Sequence, residues 1–361
     1  MPRLFFIERM KKRSPPGFTL IEFMVALLIG GLVTAAAFTA FLGTRQASRY
    51  SSALSRYQET LRYAQDKMSE DIRMAGSTGC FQIRKMGTAT ISNYGGAAGV
   101  SPDLSFTQAL NGYENTGAAS WAPALPAAIV PSKGDVIRAT YADANGLPLS
   151  AVMAANTGPV IVTGTTPQFS SNDIAVIEQC DKADVFQITA AASAAGSQTL
   201  TIPALSTTYP AGAIPAAGVN VHKFVNHYWS IQTSTSSGLQ NVLTRTSVVG
   251  SGSLSTPKYV SEDMVNGIED MQITYGEDRS GSGSAGSLSQ ATQFSPANSV
   301  TDWSNVVSVR VCLMTVSNDD GLTTAKQKYF DCNGILQPAA PDYKLRFPLT
   351  FTVMLRNNFL Q

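Results

Sequence analysis

The chain has 361 residues, 14% of them charged and 44% hydrophobic, with a formal charge of +1 at pH 7. That length allows one or two domains, and the balance lacks the basic excess that marks nucleic-acid binding, so no nucleic-acid partner is expected. Soluble domains average roughly 25% charged residues; here Ala, Gly, Ser and Thr fill the deficit, and only one short stretch is apolar enough for a bilayer.

That stretch is 18–42, where Glu22 is the single ionisable residue. As a helix, 25 residues would span roughly 37 Å, enough for a hydrocarbon core of about 30 Å. The preceding segment carries Arg3, Arg9, Lys11, Lys12 and Arg13 against Glu8 alone, which places it in the cytoplasm and exports the chain beyond Leu42. A cleaved secretory signal is one alternative, since Ala35-Ala36-Ala37 offers a small-residue site. An uncleaved anchor is another. The apolar run continues through Phe38 to Leu42 without a polar break and then passes into a helical pattern, which argues against cleavage at those alanines.

The junction reads Lys11-Lys12-Arg13-Ser14-Pro15-Pro16-Gly17-Phe18-Thr19-Leu20-Ile21-Glu22. The two prolines keep the leader extended, and Gly17 leaves the bond to Phe18 sterically open. With its basic leader, terminal glycine and Phe-Thr-Leu-Ile-Glu opening an apolar helix, this segment resembles a type IV prepilin. The resemblance implies cutting between Gly17 and Phe18 by a prepilin peptidase and N-methylation of Phe18. It also implies that Glu22 neutralises the N-terminal amine of a neighbouring subunit. The competing reading is a carboxylate that snorkels to the headgroups from near the helix end. Gly30 and Gly31 suit either close packing between membrane helices or a point where the helix loosens during assembly.

Downstream, Ala47, Tyr50, Leu54, Tyr57, Leu61, Ala64, Met68 and Ile72 recur at spacings of three and four, opposite Arg45, Arg49, Arg56, Glu59, Arg62, Asp66, Lys67, Glu70 and Arg73. The spacing predicts an amphipathic helix ending at Gly76. One helix over 18–75 would be about 87 Å long, too long for burial in one domain, and half in the membrane and half on a globular head is again pilin-like.

From Gly76 onward, short β-branched or alternating runs alternate with Gly, Ser, Pro and Asn. Strands are predicted at 136–141, 174–180, 185–189, 199–202, 228–232, 242–246, 269–275, 306–316 and 349–355, and a helical turn capped by Ser261 at 261–266. The 265–276 unit, the 303–316 strand and the closing Phe351-Thr352-Val353-Met354-Leu355-Arg356-Asn357 run resemble the PilW family of large minor pilins. Segments 92–133 and 142–172 read as long loops or an insertion, and 277–300 as a mobile Gly/Ser-rich loop. The expected organisation is a leader (1–17), a transmembrane half-helix (18–42), an amphipathic half-helix (43–75) and a β-rich head (76–361). The fold class is α+β, with a long N-terminal helix on a large antiparallel β-rich head.

Cys80, Cys180, Cys312 and Cys332 show no Cys-x-x-Cys spacing. In an exported head an even count favours two disulfides with three possible connectivities, and the preferred pairs are Cys80–Cys180 and Cys312–Cys332, against buried thiols. Chemistry is sparse. His222 and His227 could form half a zinc site but lack accompanying ligands and read as exposed loop or strand-end residues. Gly281 to Gly286 matches Gly-x-Gly-x-x-Gly but lies in a Ser-rich run with no helix after it. No catalytic residue, cofactor or metal site is expected, and a membrane-anchored hydrolase is a remote alternative.

The resemblance therefore implies assembly: a minor pilin that primes a pilus at its tip and supports twitching motility and adhesion. Its implied partners are the other minor pilins, the major pilin, the prepilin peptidase, the pilus assembly machinery and the lipid bilayer. It would sit in the inner membrane with a periplasmic head and then move to the pilus. A minor pseudopilin of a type II secretion system shares the same junction and is the alternative.

Overall fold

The computed structural model describes residues 17–79, 90–94, 99–106, 108–117, 120–164, 168–179, 182–209, 218–234, 236–279, 290–323 and 325–358. Two compact units divide the chain, Met1–Ser55 and Arg56–Gln361. The described part of the first is helical: it holds the start of α1 (Leu20–Met74), whose apolar N-terminal portion is exposed and is long and apolar enough to cross a bilayer. The helix ends where expected, because Gly76 adopts φ +80°, a left-handed conformation that a Cβ would disfavour.

The second unit begins with the end of α1 and continues through β1 (Thr90–Asn93), β2 (Leu110–Gly117), β3 (Ser120–Ala122), β4 (Lys133–Ala142) and β5 (Leu147–Pro148). It proceeds with β6 (Val160–Thr163), β7 (Ile174–Gln179), β8 (Lys182–Gln187), β9 (Ala190–Ala194) and β10 (Ser197–Thr201). The last strands are β11 (Asn220–Gln232), β12 (Val242–Val249), β13 (Lys258–Asn266), β14 (Ile268–Glu277), β15 (Gln293–Ser295), β16 (Val306–Val316) and β17 (Arg346–Met354). A ten-stranded sheet runs β1-β8-β7-β11-β4-β2-β3, with β12 and then β13 attached beside β11, and β5 pairing β11 as well. Within it β1 and β8 are parallel. A four-stranded sheet runs β15-β14-β16-β17 and a three-stranded one β6-β10-β9.

The helix end supplies Ala64, Met68 and Ile72 to a core that also holds Ile137, Trp229 and Leu243 from the large sheet and Met271, Val311 and Phe351 from the four-stranded sheet. A helix needs a complementary apolar surface to be stable, and here two sheets supply it. Of the predicted stripe, Ala47 and Tyr50 are exposed, while Ala64, Met68 and Ile72 are fully buried. A second core, around Phe186, Leu200 and Tyr209, lies under the three-stranded sheet.

Several expectations need correction. Residues 261–266 are not a helical turn but part of β13, paired in register with β12 through Thr246↔Ser261 and Arg245↔Glu262. Ser-Glu-Asp has the look of a helix start, but the hairpin ladder overrides that local preference. Segment 92–133 is not loop throughout, for it carries β2 and β3, and 142–172 contains β5 and β6. The β2 run Asn-Gly-Tyr-Glu-Asn-Thr lacks β-branched weight, so its pairing with β4 and β3 makes it a strand. In 277–300, residues 280–289 lie outside the described residues, and 293–295 form β15. The 228–232 strand is the end of the longer β11.

Asp135 joins the two larger sheets. From β4, one carboxylate oxygen accepts the Asn115 backbone N–H at 2.9 Å and the other accepts that of Ile273 on β14 at 2.8 Å. Burial pushes this carboxyl up to about 7, opposed by those hydrogen bonds and reinforced by nearby Glu114 and Asp270. The folded chain thus holds the proton to higher pH than the unfolded one, so stability should be greatest at low pH and fall as pH rises from about 4 to 7. We expect a loss on the order of 3 kcal/mol across that window, measured as thermal midpoint against pH. In Asp135→Asn the slope should flatten markedly, and an unchanged slope would assign it to other groups.

Candidate assembly site

The junction residues occupy the start of the helix. Phe18 is exposed, and a Cβ built on Gly17 would meet nothing within 4 Å, so no packing among the described residues requires glycine there. Thr19 and Glu22 form a reciprocal cap. The Glu22 carboxylate accepts from the Thr19 backbone N–H at 3.0 Å and hydroxyl at 3.1 Å, and the Glu22 backbone N–H donates to the Thr19 hydroxyl at 3.2 Å. This is a capping box, with Thr at the cap and Glu three residues on. The Thr-x-x-Glu spacing gives this carboxylate a local role beside the assembly and snorkelling readings.

Farther along the apolar segment, the hydroxyls of Thr34, Thr39 and Thr44 donate to the carbonyls of Gly30, Ala36 and Ala40 at 2.7, 2.8 and 2.9 Å. Hydroxyls satisfied by their own helix cost less to place in lipid. A Cβ added at Gly30, Gly31 or Gly43 would meet nothing within 4 Å.

In the head unit the end of α1 is fixed by polar contacts as well as packing. Asp71, 2% exposed, accepts from the Tyr141 hydroxyl at 2.7 Å and the Trp229 indole N–H at 2.7 Å, and its Oδ2 lies 2.9 Å from His227 Nδ1. Burial alone would raise its pKa, but the hydrogen bond and charge of His227 and the hydrogen bonds of Tyr141 and Trp229 overcome that and hold the carboxyl below its ordinary value. Asn357 Nδ2 lies 3.3, 3.1 and 3.0 Å from the carbonyls of Arg73, Met74 and Ala75, which the helix itself leaves open. Tyr57 donates to the Phe347 carbonyl at 3.0 Å and packs edge-on against its ring.

Sequence reasoning missed Asp71, although it is three residues past Met68 and so on the buried face. It also misplaced the histidines. Both lie within the central strand β11, not in loops: His222 is 5% exposed and His227 is partly buried. Five residues apart in a strand, they face opposite sides of the sheet, which rules out one shared metal. His222 is packed between Gly79 and Gly146, with Nδ1 2.6 Å from the Asp143 carbonyl oxygen and Nε2 3.6 Å from Glu178. Among the described residues, no group of three or more His, Cys, Asp or Glu could hold a metal ion.

Cys312 and Cys332 form a disulfide with Cα atoms 5.7 Å apart. Cys80 and Cys180 lie outside the described residues, as do the leader 1–16 and the Gly281 to Gly286 run.

Residues 228–357 match the family described as Type IV Pilus-assembly protein W, and residues 13–38 match the Prokaryotic N-terminal methylation motif. No curated protein and no solved structure gives a significant match. The first match covers β12 to β17 together with Trp229 of β11 and Asn357. The second covers the cleavage junction and the capping box.

Asp71→Ala should leave three donors in a buried site without their acceptor, and we expect a loss of about 3–5 kcal/mol by chemical denaturation. Asn357→Ala should cost about 1 kcal/mol. Equal, small effects would mean that packing alone holds the helix end.

Proposed function

From the match of residues 228–357 to the PilW family of type IV pilus proteins and of residues 13–38 to the methylation motif, we propose that this chain is a minor pilin of a priming complex at the pilus tip. It enters the inner membrane by α1 with its head in the periplasm, is cut between Gly17 and Phe18, and is methylated on Phe18. The observation that carries this reading is the joining of the two matches by one helix, which begins at the processing motif and ends in the core of the head. Residues 18–42 serve as the membrane part, 43–75 as the amphipathic part and 76–361 as the exported head.

Removing 1–17 takes away five bases and one acid, changing the formal charge from +1 to −3. Glu22 then lies four residues from a new amine. A desolvated carboxylate needs an opposite charge, and the amine of a neighbouring subunit supplies one while the capping box aims Glu22 along the helix start. Partners are the major pilin, other minor pilins, the prepilin peptidase and the assembly machinery. The head works through contacts and not catalysis. A pairing of Cys80 with Cys180, which an even cysteine count in an exported head favours, belongs to the same reading.

N-terminal mass spectrometry should find methylated Phe18 as the first residue, and intact Met1 or a start after Ala37 would overturn the reading. Peptide mapping without reduction should recover Cys80 linked to Cys180. Glu22→Ala should be processed yet drop at least tenfold in sheared pili. Deleting the gene should abolish surface pili and twitching while exoprotein secretion persists, and the opposite pattern would favour a type II secretion pseudopilin.

A further inference from the structure

The outward face of the four-stranded sheet carries a recess of about 410 Å³. Its floor is set by register: Thr274 pairs with Arg310, Gln272 with Cys312, and Cys312 with Thr350, so hydroxyl, amide and guanidinium groups share one face of three strands. Asn333 forms part of one wall, on a loop tied to that floor by the Cys312–Cys332 disulfide.

Arg310 is exposed, with its guanidinium carbon 3.9 Å from the centroid of the Phe294 ring. Stacking uses the flat face of a guanidinium, whereas its N–H donors lie in the plane and stay available. Among the described residues Arg310 has no ion pair and no hydrogen bond of its side chain, unlike Arg138, Arg245, Arg279 and Arg346, each paired with a carboxylate. It is a cation held in place by an aromatic ring, facing a cavity of hydrogen-bonding groups with no counter-charge assigned. Glu114, also on the recess, has its carboxylate engaged by the Ala297 backbone N–H at 3.2 Å.

The loop beside the recess is shaped in advance. Asp331 accepts from the backbone N–H groups of Asn333 and Ile335 at 2.9 and 2.8 Å and from Gln337 Nε2 at 2.7 Å. On this turn Phe330, Ile335 and Leu336 are 56%, 59% and 55% exposed. Apolar side chains presented on a rigid, disulfide-anchored turn next to an unpaired arginine have the make-up of a protein-docking site, since Arg and aromatic groups dominate such interfaces and rigidity lowers the entropy lost on binding.

We propose that this recess and turn dock a peptide segment of another protein that carries one Asp or Glu flanked by apolar residues. The carboxylate pairs with Arg310 in the bidentate manner open to a guanidinium, the apolar flanks cover Phe330, Ile335 and Leu336, and Glu114 repels a second acid at its end of the recess. The site does not depend on the processing and assembly reading, and binding tests it separately.

The test is fluorescence anisotropy with the full-length chain in detergent micelles and a labelled acetyl-Leu-Asp-Leu-Phe amide. Its Asn counterpart and an oligogalacturonate serve as comparisons. The acidic peptide should bind and weaken with added salt, and both Arg310→Gln and the Asn counterpart should lower affinity at least tenfold. Thr350→Trp, which fills the recess from an exposed position, should block binding without shifting the thermal midpoint. Absence of binding, equal binding of the two peptides, indifference to both variants, or binding of the uronate in place of the peptide would each overturn the proposal.

Discussion

Asp71 occupies a position that helix electrostatics disfavours. It lies in the last turn of α1, where the open carbonyls give the helix its negative end and a cation would be the stabilising choice. A carboxylate can be buried there only if the head supplies donors, and three do: Tyr141 from β4, and His227 and Trp229 from β11. The cost of leaving that charge unpaired is what gives the contact its specificity. Packing of Ala64, Met68 and Ile72 would tolerate rotation or sliding of the helix by small steps, because apolar contact is not directional. Three hydrogen bonds to one carboxylate would not. The helix end therefore has one register against the head, and Asn357, bridging from the end of the chain to the carbonyls of Arg73, Met74 and Ala75, closes the same turn.

From this seat the division of labour between the two larger sheets can be derived. The strands that grip Asp71 are the middle of the ten-stranded sheet, while β14, β16 and β17 complete the core from the four-stranded sheet. Asp135 crosses between them with both oxygens engaged by backbone N–H groups. Asp71 and Asp135 are both buried, yet their environments act in opposite directions. A partly buried imidazole and two other side-chain donors hold Asp71 in its charged form, whereas two backbone N–H groups do not offset the burial of Asp135 beside Glu114 and Asp270. The helix seat is thus strongest once its carboxylate is ionised, and the joint between sheets is strongest while its carboxyl keeps a proton.

What the sequence disclosed divides along the same physical line. The apolar run, the prepilin junction, the helix and its stop at Gly76 are local in origin, set by periodicity and by backbone freedom at single residues, and they were legible. So were β16, a near-continuous β-branched run, and the Cys312–Cys332 pair that spans a short loop. Strands made by their partners were not. β13 reads locally as a helix start and β2 as a turn-rich loop, and ladders to β12 for the first and to β4 and β3 for the second decide otherwise. The donors to Asp71 come from positions 70 and more than 150 residues away, a distance over which no spacing rule operates. His227 was visible as a histidine, but its role depends on β11 being long and central, and the predicted strand began only at Tyr228.

The two ends of α1 solve opposite problems with the same chemical group. At Asp71 a carboxylate is buried, held by donors distant in sequence, and committed to one arrangement. At Glu22 a carboxylate is exposed and, among the described residues, held only by Thr19, three residues away. A capping box on a surface helix contributes on the order of 1 kcal/mol, little enough for an ammonium ion entering a low-dielectric environment to displace it, since attraction between unit charges grows as water is excluded. The exposed carboxylate is therefore held firmly enough to order the helix start but weakly enough to be released, whereas the buried one is committed to a single arrangement.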